Sequence, residues 1–236
     1  MRPLIRGDYV AICDGDDYWS DPEKLAVQVA AMREDPGITM SFHAVTQTSP
    51  DGDISVRPLK SDGFASAETV IRRGGLFCPT VSLMFRRDVF DDWQDFRLKA
   101  DVYDYPAQIL AAVSGKVLYI DRDMAVYRYG RTGSWTGARA TDTDYVHINC
   151  ETGWLSDFDK WSGGRYSAAV NYHLAHLWFT EYRKGLDRYT RRMTRRYVSK
   201  LPLRDRVGYR VWLWLFGVFG ARANRLWYAV KKHLLK

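Results

Sequence analysis

The stretch Tyr9-Val10-Ala11-Ile12-Cys13-Asp14-Gly15-Asp16-Asp17 joins a compact apolar run to a turn holding three carboxylates. A short apolar run stopped by successive turn-favouring residues predicts a buried strand, so this strand delivers negative charge to one point. Carboxylates packed there repel one another unless a cation neutralises them. A hard divalent ion with oxygen ligands, Mg or Mn, is the natural partner. Held by one or two carboxylates, it keeps positions open for phosphate oxygens and can assist the departure of a phosphate leaving group. The same residues also fit a plain solvated acidic turn, because short motifs recur by chance.

Working outward, Ser20-Asp21-Pro22-Glu23 reads as a helix start with Ser20 capping and Pro22 in the first turn. Leu25, Val29 and Met32 recur at helical spacing and Pro36-Gly37 ends the helix. Residues 39–45 read as a strand, and Ser49-Pro50-Asp51-Gly52-Asp53 as a turn closing a hairpin onto residues 54–57. A short helix over 66–73 stops at Gly74-Gly75, and an apolar strand follows over 80–85. A helix over about 106–113 leads to two strands, 117–120 and 124–129, joined by Asp121-Arg122-Asp123. Alternating strands and helices predict an α/β domain.

Four blocks of this head, in order, resemble family 2 glycosyltransferases of the GT-A fold. The first is residues 7–19 with Asp21-Pro22, Lys24-Leu25 and Gln28. The second is Pro79-Thr80-Val81-Ser82 with Phe85-Arg86. The third is Asp104-Tyr105-Pro106 with Ala111, Gly115-Lys116-Val117 and Tyr119-Ile120-Asp121. The fourth is residues 124–128 with Gly133-Ser134-Trp135.

The resemblance implies a GT-A-like mixed sheet flanked by helices. It implies that Asp14 and Asp16 bind the divalent metal on a nucleotide-sugar diphosphate, with Asp17 adding charge or a hydrogen bond. Asp104 becomes the general base that deprotonates an acceptor hydroxyl in an inverting transfer, with Asp101 as the nearby alternate. Independently of the family, Asp104 also fits a simple helix cap. Arg128 and Arg131 suit a diphosphate, since a guanidinium matches phosphate geometry, and Trp135 lies in the same closing segment. The implied donor is a nucleotide-sugar, UDP-linked or similar, and the implied acceptor is a glycan or lipid-linked saccharide of cell-surface polysaccharide biosynthesis.

Two departures stand out. This chain offers Tyr129 and Gly130 where family members often carry a histidine after the Tyr-Arg pair. It also starts almost at the metal-binding strand, so the expectation is a domain over 1–137 whose N-terminal nucleotide-binding part is incomplete. A second reading follows: a non-catalytic remnant or scaffold that keeps the acceptor-side surface.

The 236 residues carry a net charge of +7, unevenly spread. Residues 181–236 hold 16 basic and 3 acidic side chains, a net +13, leaving −6 for residues 1–180. Residues 138–164 show no period and read as loop or linker with at most one short helix. Residues 165–236 read as a helical, basic, Trp-rich extension. Its segment 201–236 fits an interfacial helix pair on anionic lipid, or a segment packed on the head; no nucleic-acid module accompanies it.

Cys13, Cys78 and Cys150 fit neither a disulfide framework nor a zinc pattern, and a reducing compartment is the simpler reading. Cys13 is read as a small core residue. His173 and His176 lack companion ligands and read as packing or surface residues. No signal-peptide core or membrane-spanning run is visible, so the expected location is the cytoplasm, at the inner face of a membrane.

Overall fold

The computed structural model describes residues 5–50, 52–91, 97, 99–130 and 145–234, with side chains through residue 230. The chain forms two compact units, residues 1–154 and 155–236. The first unit is built on a seven-stranded mixed sheet: β1 Tyr9–Ala11, β2 Tyr18–Trp19, β3 Ile38–Thr48, β4 Ile54–Val56, β5 Gly63–Ala65, β6 Met84–Arg86 and β7 Lys116–Arg128. Its main path runs β1-β6-β3-β7-β2, with β4 on β3 and β5 on β7. Among the described residues only the central β3/β7 pair is parallel. An α/β fold with a mixed sheet and flanking helices, the class expected from the sequence, is what the chain adopts.

The acidic strand differs from expectation in two ways. β1 is three residues long and only half-buried, because it pairs on one side alone, antiparallel to β6. Cys13 therefore lies beyond the strand and is exposed, its Sγ 3.6 Å from the Asp17 carbonyl. The central strands carry the core instead: Phe42 on β3 packs against Phe77 and Tyr119 at ring separations of 5.5 and 5.2 Å.

Helix α1, Lys24–Glu34, follows the acidic turn but without a side-chain cap from Ser20. It buries Lys24, Gln28 and Met32, while Leu25 is exposed. The inward face is thus displaced by one position from the apolar stripe that periodicity picks out. Met32 joins Ile38 and Met84 in a cluster flanked by Val29 and Ala11. Helix α2, Ala67–Arg73, forms where expected and ends at Gly74 with φ 76°; Ser66, expected inside the helix, caps it instead, its Oγ accepting from Thr69 N.

The expected strand over 80–85 is instead a 3-10 turn, Thr80–Ser82, leading into β6. Helix α3, Asp104–Ser114, is buried over almost its whole length, with Pro106 in its first turn where the missing N–H costs nothing. Gly115 then admits the chain between β3 and β7. A Cβ there would stand 2.5 Å from Thr39 Cγ2 and 2.7 Å from the Gly37 carbonyl.

The two strands expected around Asp121-Arg122-Asp123 are one strand, β7. The parallel register slips there, from His43 opposite Ile120 to Ala44 opposite Asp123. Asp123 stabilises the bulge by accepting from Thr46 N at 3.1 Å and from Thr46 Oγ1 at 2.7 Å. These side-chain bonds from the neighbouring strand take the place of ladder bonds lost at the bulge.

The stretch expected as a linker holds helix α4, Val146–Trp161, and the boundary between the units falls within it. Residues 155–236 continue with α5 Ser167–Gly185, α6 Arg188–Val198, α7 Leu203–Phe219 and α8 Ala223–Leu234. Asp187 caps α6 by accepting from Tyr189 N and Thr190 N. Phe179 on α5 packs edge-on to Phe216 on α7 at 5.8 Å, and Trp212 meets Trp227 at 4.9 Å. No helix among the described residues is long and apolar enough to cross a membrane.

Candidate functional site

The site is assembled where the turn after β1 meets the start of α3. β2 pairs antiparallel with the end of β7, Tyr18 opposite Val126. This brings the acidic turn against Arg128, whose backbone N–H donates to Asp17 Oδ1 at 2.9 Å. The Arg128 guanidinium lies over the Tyr18 ring, 5.0 Å from its centroid. Asp17 and Arg128 are therefore neighbours, although 111 residues separate them.

Asp17 is buried, and its Oδ2 is shielded from solvent with no hydrogen-bond partner. Burial pushes its carboxyl up to about 6, against the Arg128 N–H bond, with Asp16 and Asp14 adding repulsion. The turn thus concentrates three carboxylates at one point.

On the other side, Tyr103 donates its hydroxyl to Asp14 Oδ1 at 2.5 Å. Partial burial and this bond hold the phenol above its ordinary range, so it stays a donor at neutral pH. Tyr103 sits at the position before α3 without a side-chain cap bond, and the next residue, Asp104, is the first of the helix. Asp104 does not cap the helix in the ordinary sense. Its Oδ1 accepts from the adjacent Tyr105 N at 2.8 Å, and its Oδ2 accepts from Thr80 Oγ1 at 2.6 Å. Burial raises its pKa, the Thr80 and Tyr105 bonds oppose the rise, and the Asp14 charge adds to it. Two hydrogen bonds thus orient a carboxylate of raised basicity, as base catalysis requires.

Thr80 also lines a cleft of about 120 Å³ bordered by Leu76, Pro79, Gln47, Tyr127 and Tyr129. Leu76 is 78% exposed on its rim.

Beneath the acidic turn lies a support absent from the expectation for the site. Lys24 is buried, its Nζ donates to Gln28 Oε1 at 2.8 Å, and it sits 4.5 Å from the centre of the Trp19 ring. Gln28 Nε2 donates to the Ser82 carbonyl at 2.9 Å and to Ser41 Oγ at 3.1 Å. Trp19 Nε1 donates to the Val81 carbonyl at 3.2 Å. The helix after the turn is thereby bonded to the segment carrying Thr80. Burial lowers the Lys24 pKa to about 8.

The structure brings Asp14, Asp17, Arg128 and Asp104 into one neighbourhood, with Asp16 in the same turn. Asp101 is directed elsewhere: its Oδ2 pairs with His147 Nδ1 at 2.5 Å. Arg131 and Trp135, with Gly133 and Ser134, lie outside the described residues. Sequence reasoning assigned no role to Tyr103 or Thr80, though each lies in or beside a block quoted for the resemblance. His173 is buried and His176 exposed on α5.

No group of three or more His, Cys, Asp or Glu side chains placed to hold a metal ion occurs among the described residues. The donor set still suits Mg or Mn: hard carboxylate oxygens in mutual repulsion, one of them buried and unpartnered. Such ions are held by one or two carboxylates with phosphate oxygens completing the shell.

Comparison with known proteins follows the same lines. No family model matches the chain. Uncharacterized proteins of Mycobacterium tuberculosis and Mycobacterium bovis are 34% identical to it over 135 residues, 56% of this chain and 38% of theirs. The chain therefore spans well under half the length of the curated relatives it matches. Among solved structures, S. aureus TarS 1–349 in complex with UDP-GlcNAc is similar at a TM-score of 0.58 and 13% identity. The match covers 86% of this chain and 60% of that one. At that identity the likeness is one of fold.

Proposed function

We propose that the chain is a metal-dependent inverting glycosyltransferase of the GT-A type, taking a nucleotide-sugar donor and a hydroxyl of a glycan or lipid-linked saccharide. The observation that carries this reading is the approach of Asp104, held by Thr80, to the acidic turn of Asp14 and Asp17. Two sequence blocks some ninety residues apart along the chain become one site when Tyr103 bonds to Asp14 at 2.5 Å. The fold shared with a chain solved with UDP-GlcNAc bound supports a UDP-linked donor.

Asp14 and Asp16 would hold Mg or Mn, with Asp17 adding charge in the same turn. An ion held there would supply positive charge to a departing diphosphate. The acceptor oxygen attacks the anomeric carbon, the bond from that carbon to the diphosphate oxygen breaks, and the acceptor's proton passes to Asp104. Thr80 orients that carboxylate, and Arg128 adds positive charge beside the leaving group. The Tyr127 and Tyr129 cleft next to Thr80 offers apolar faces to an acceptor sugar ring.

The test is turnover of UDP-sugars by the full chain with Mn or Mg. Asp16→Ala and Asp104→Asn are expected to abolish transfer, the second while donor binding persists. Absence of both donor binding and turnover in the wild type would favour the scaffold reading, and retained transfer in either variant would remove that residue from the mechanism.

A further inference from the structure

Helix α7 is apolar on two sides. Tyr209, Leu213 and Phe216 point into the helical core and are buried. On the other side Leu203, Val207, Val211, Trp214 and Val218 are each between 50% and 69% exposed. At 3.6 residues per turn these five fall within an arc of about 80°, so they form one continuous stripe rather than scattered exposure. A solvated helix face needs no such stripe, and its cost in water calls for something that covers it.

The charges around it say what. Arg204 and Arg210, both exposed, flank the stripe on either side. Beside it opens a cleft of about 430 Å³ lined by Arg191, Arg195 and Arg210, with Leu213 and Trp214 on its wall and no acidic residue among its lining. Arg191 reaches onto α7 because Gly217 leaves room: a Cβ there would stand 3.0 Å from Arg191 Nη2. The Nε of Arg191 is itself buried without a partner. Three guanidinium groups around a cleft that opens beside an apolar stripe match a phosphate headgroup whose acyl chains lie alongside. A second copy of this chain would instead set arginine against arginine.

We propose that the α6–α7 face of residues 155–236 docks on an anionic phospholipid surface. Leu203, Val207, Val211, Trp214 and Val218 enter the acyl boundary, and Arg191, Arg195 and Arg210 take a lipid phosphate. The inference is independent of the glycosyl-transfer reading and would place whatever reaction the chain performs beside membrane-borne molecules.

The experiment is flotation of the full chain with vesicles of phosphatidylcholine alone and of phosphatidylcholine with phosphatidylglycerol. Binding is expected only to the anionic vesicles. Arg195→Gln with Arg210→Gln should lower partitioning by about fivefold per arginine. Val211→Ser with Trp214→Ser should lower it at least as far, and brominated acyl chains should quench a fluorescence component that Trp214→Phe removes. All four positions are exposed, so the fold is expected to survive, and circular dichroism checks it. Absence of flotation, binding unaffected by either pair, or a wild-type dimer that Val211→Ser with Trp214→Ser dissociates in the absence of vesicles would each overturn the proposal.

Discussion

Replacing Gln28 by Leu tests whether the buried Lys24–Gln28 pair supports the acidic turn. The substitution keeps the volume but leaves the Lys24 ammonium without its 2.8 Å acceptor and the Ser82 carbonyl without its 2.9 Å donor. A hydrogen bond to a charged group contributes about 1.5–3 kcal/mol, and a stranded buried carbonyl costs about 1–3 kcal/mol. The expected loss is therefore about 3–5 kcal/mol.

Lys24→Met behaves differently. It relieves the cost of burying a charge whose pKa has fallen from 10.5 to about 8, which amounts to about 3 kcal/mol at 1.36 kcal/mol per unit. It also strands Gln28 Oε1 and removes the contact with Trp19. These effects nearly cancel, so the single change should fall within about 1–2 kcal/mol of neutral. In the double variant no buried ammonium is left stranded, so the two changes should be non-additive by about 2 kcal/mol. Hydrogen exchange of β3 peptides reads this free energy without requiring that both units unfold together. A cost for Gln28→Leu under 1 kcal/mol, or a coupling under 0.5 kcal/mol, would refute the reasoning.

Three further outcomes follow from the same geometry. Between about pH 8 and 10.5 the folded chain has released the Lys24 proton and the unfolded chain has not, so stability rises with pH relative to Lys24→Met; equal slopes in pH-dependent denaturation would contradict this. Gly115→Ala should cost about 3 kcal/mol, because its Cβ meets the Gly37 carbonyl as well as Thr39, and an unchanged melting temperature would show that the β3/β7 junction gives way. Thr80→Val removes a bond that lowers the Asp104 pKa, so the acid limb of kcat/KM should move to higher pH, since transfer needs the ionised base; an unmoved limb would separate Thr80 from the chemistry.

What could be read from the sequence followed its local signals. The short helix before Gly74, the Gly74 stop and the hairpin of β3 with β4 were legible because each is set by neighbouring residues. α1 itself was legible, but its inward face was not. Periodicity credits Leu25 and Val29, whereas the fold buries Lys24 and Gln28: Lys24 bonds to Gln28 on the same helix, and the Gln28 amide in turn finds its partners on β3 and the Ser82 segment. The β7 bulge was misread as a turn because Asp121-Arg122-Asp123 has turn composition, and the bonds that keep it in the sheet come from Thr46 on another strand. α4 had a legible signal in Ile148, Leu155 and Phe158, which are buried on one face at helical spacing.

In the site, the carboxylates were visible as a cluster, and the resemblance picked out Asp104. That Asp101 turns to His147 while Tyr103 bridges to Asp14 depends on residues distant in sequence, which no local pattern encodes.

The central claim is that the acidic turn handles a sugar-nucleotide through a divalent ion. Calorimetric titration of UDP-GlcNAc into the full chain, with and without Mn, tests it most directly. The account predicts Mn-dependent binding that is lost in Asp14→Asn with Asp16→Asn and kept in Asp104→Asn. Binding indifferent to Mn, or equal in the doubly neutralised turn, would contradict it.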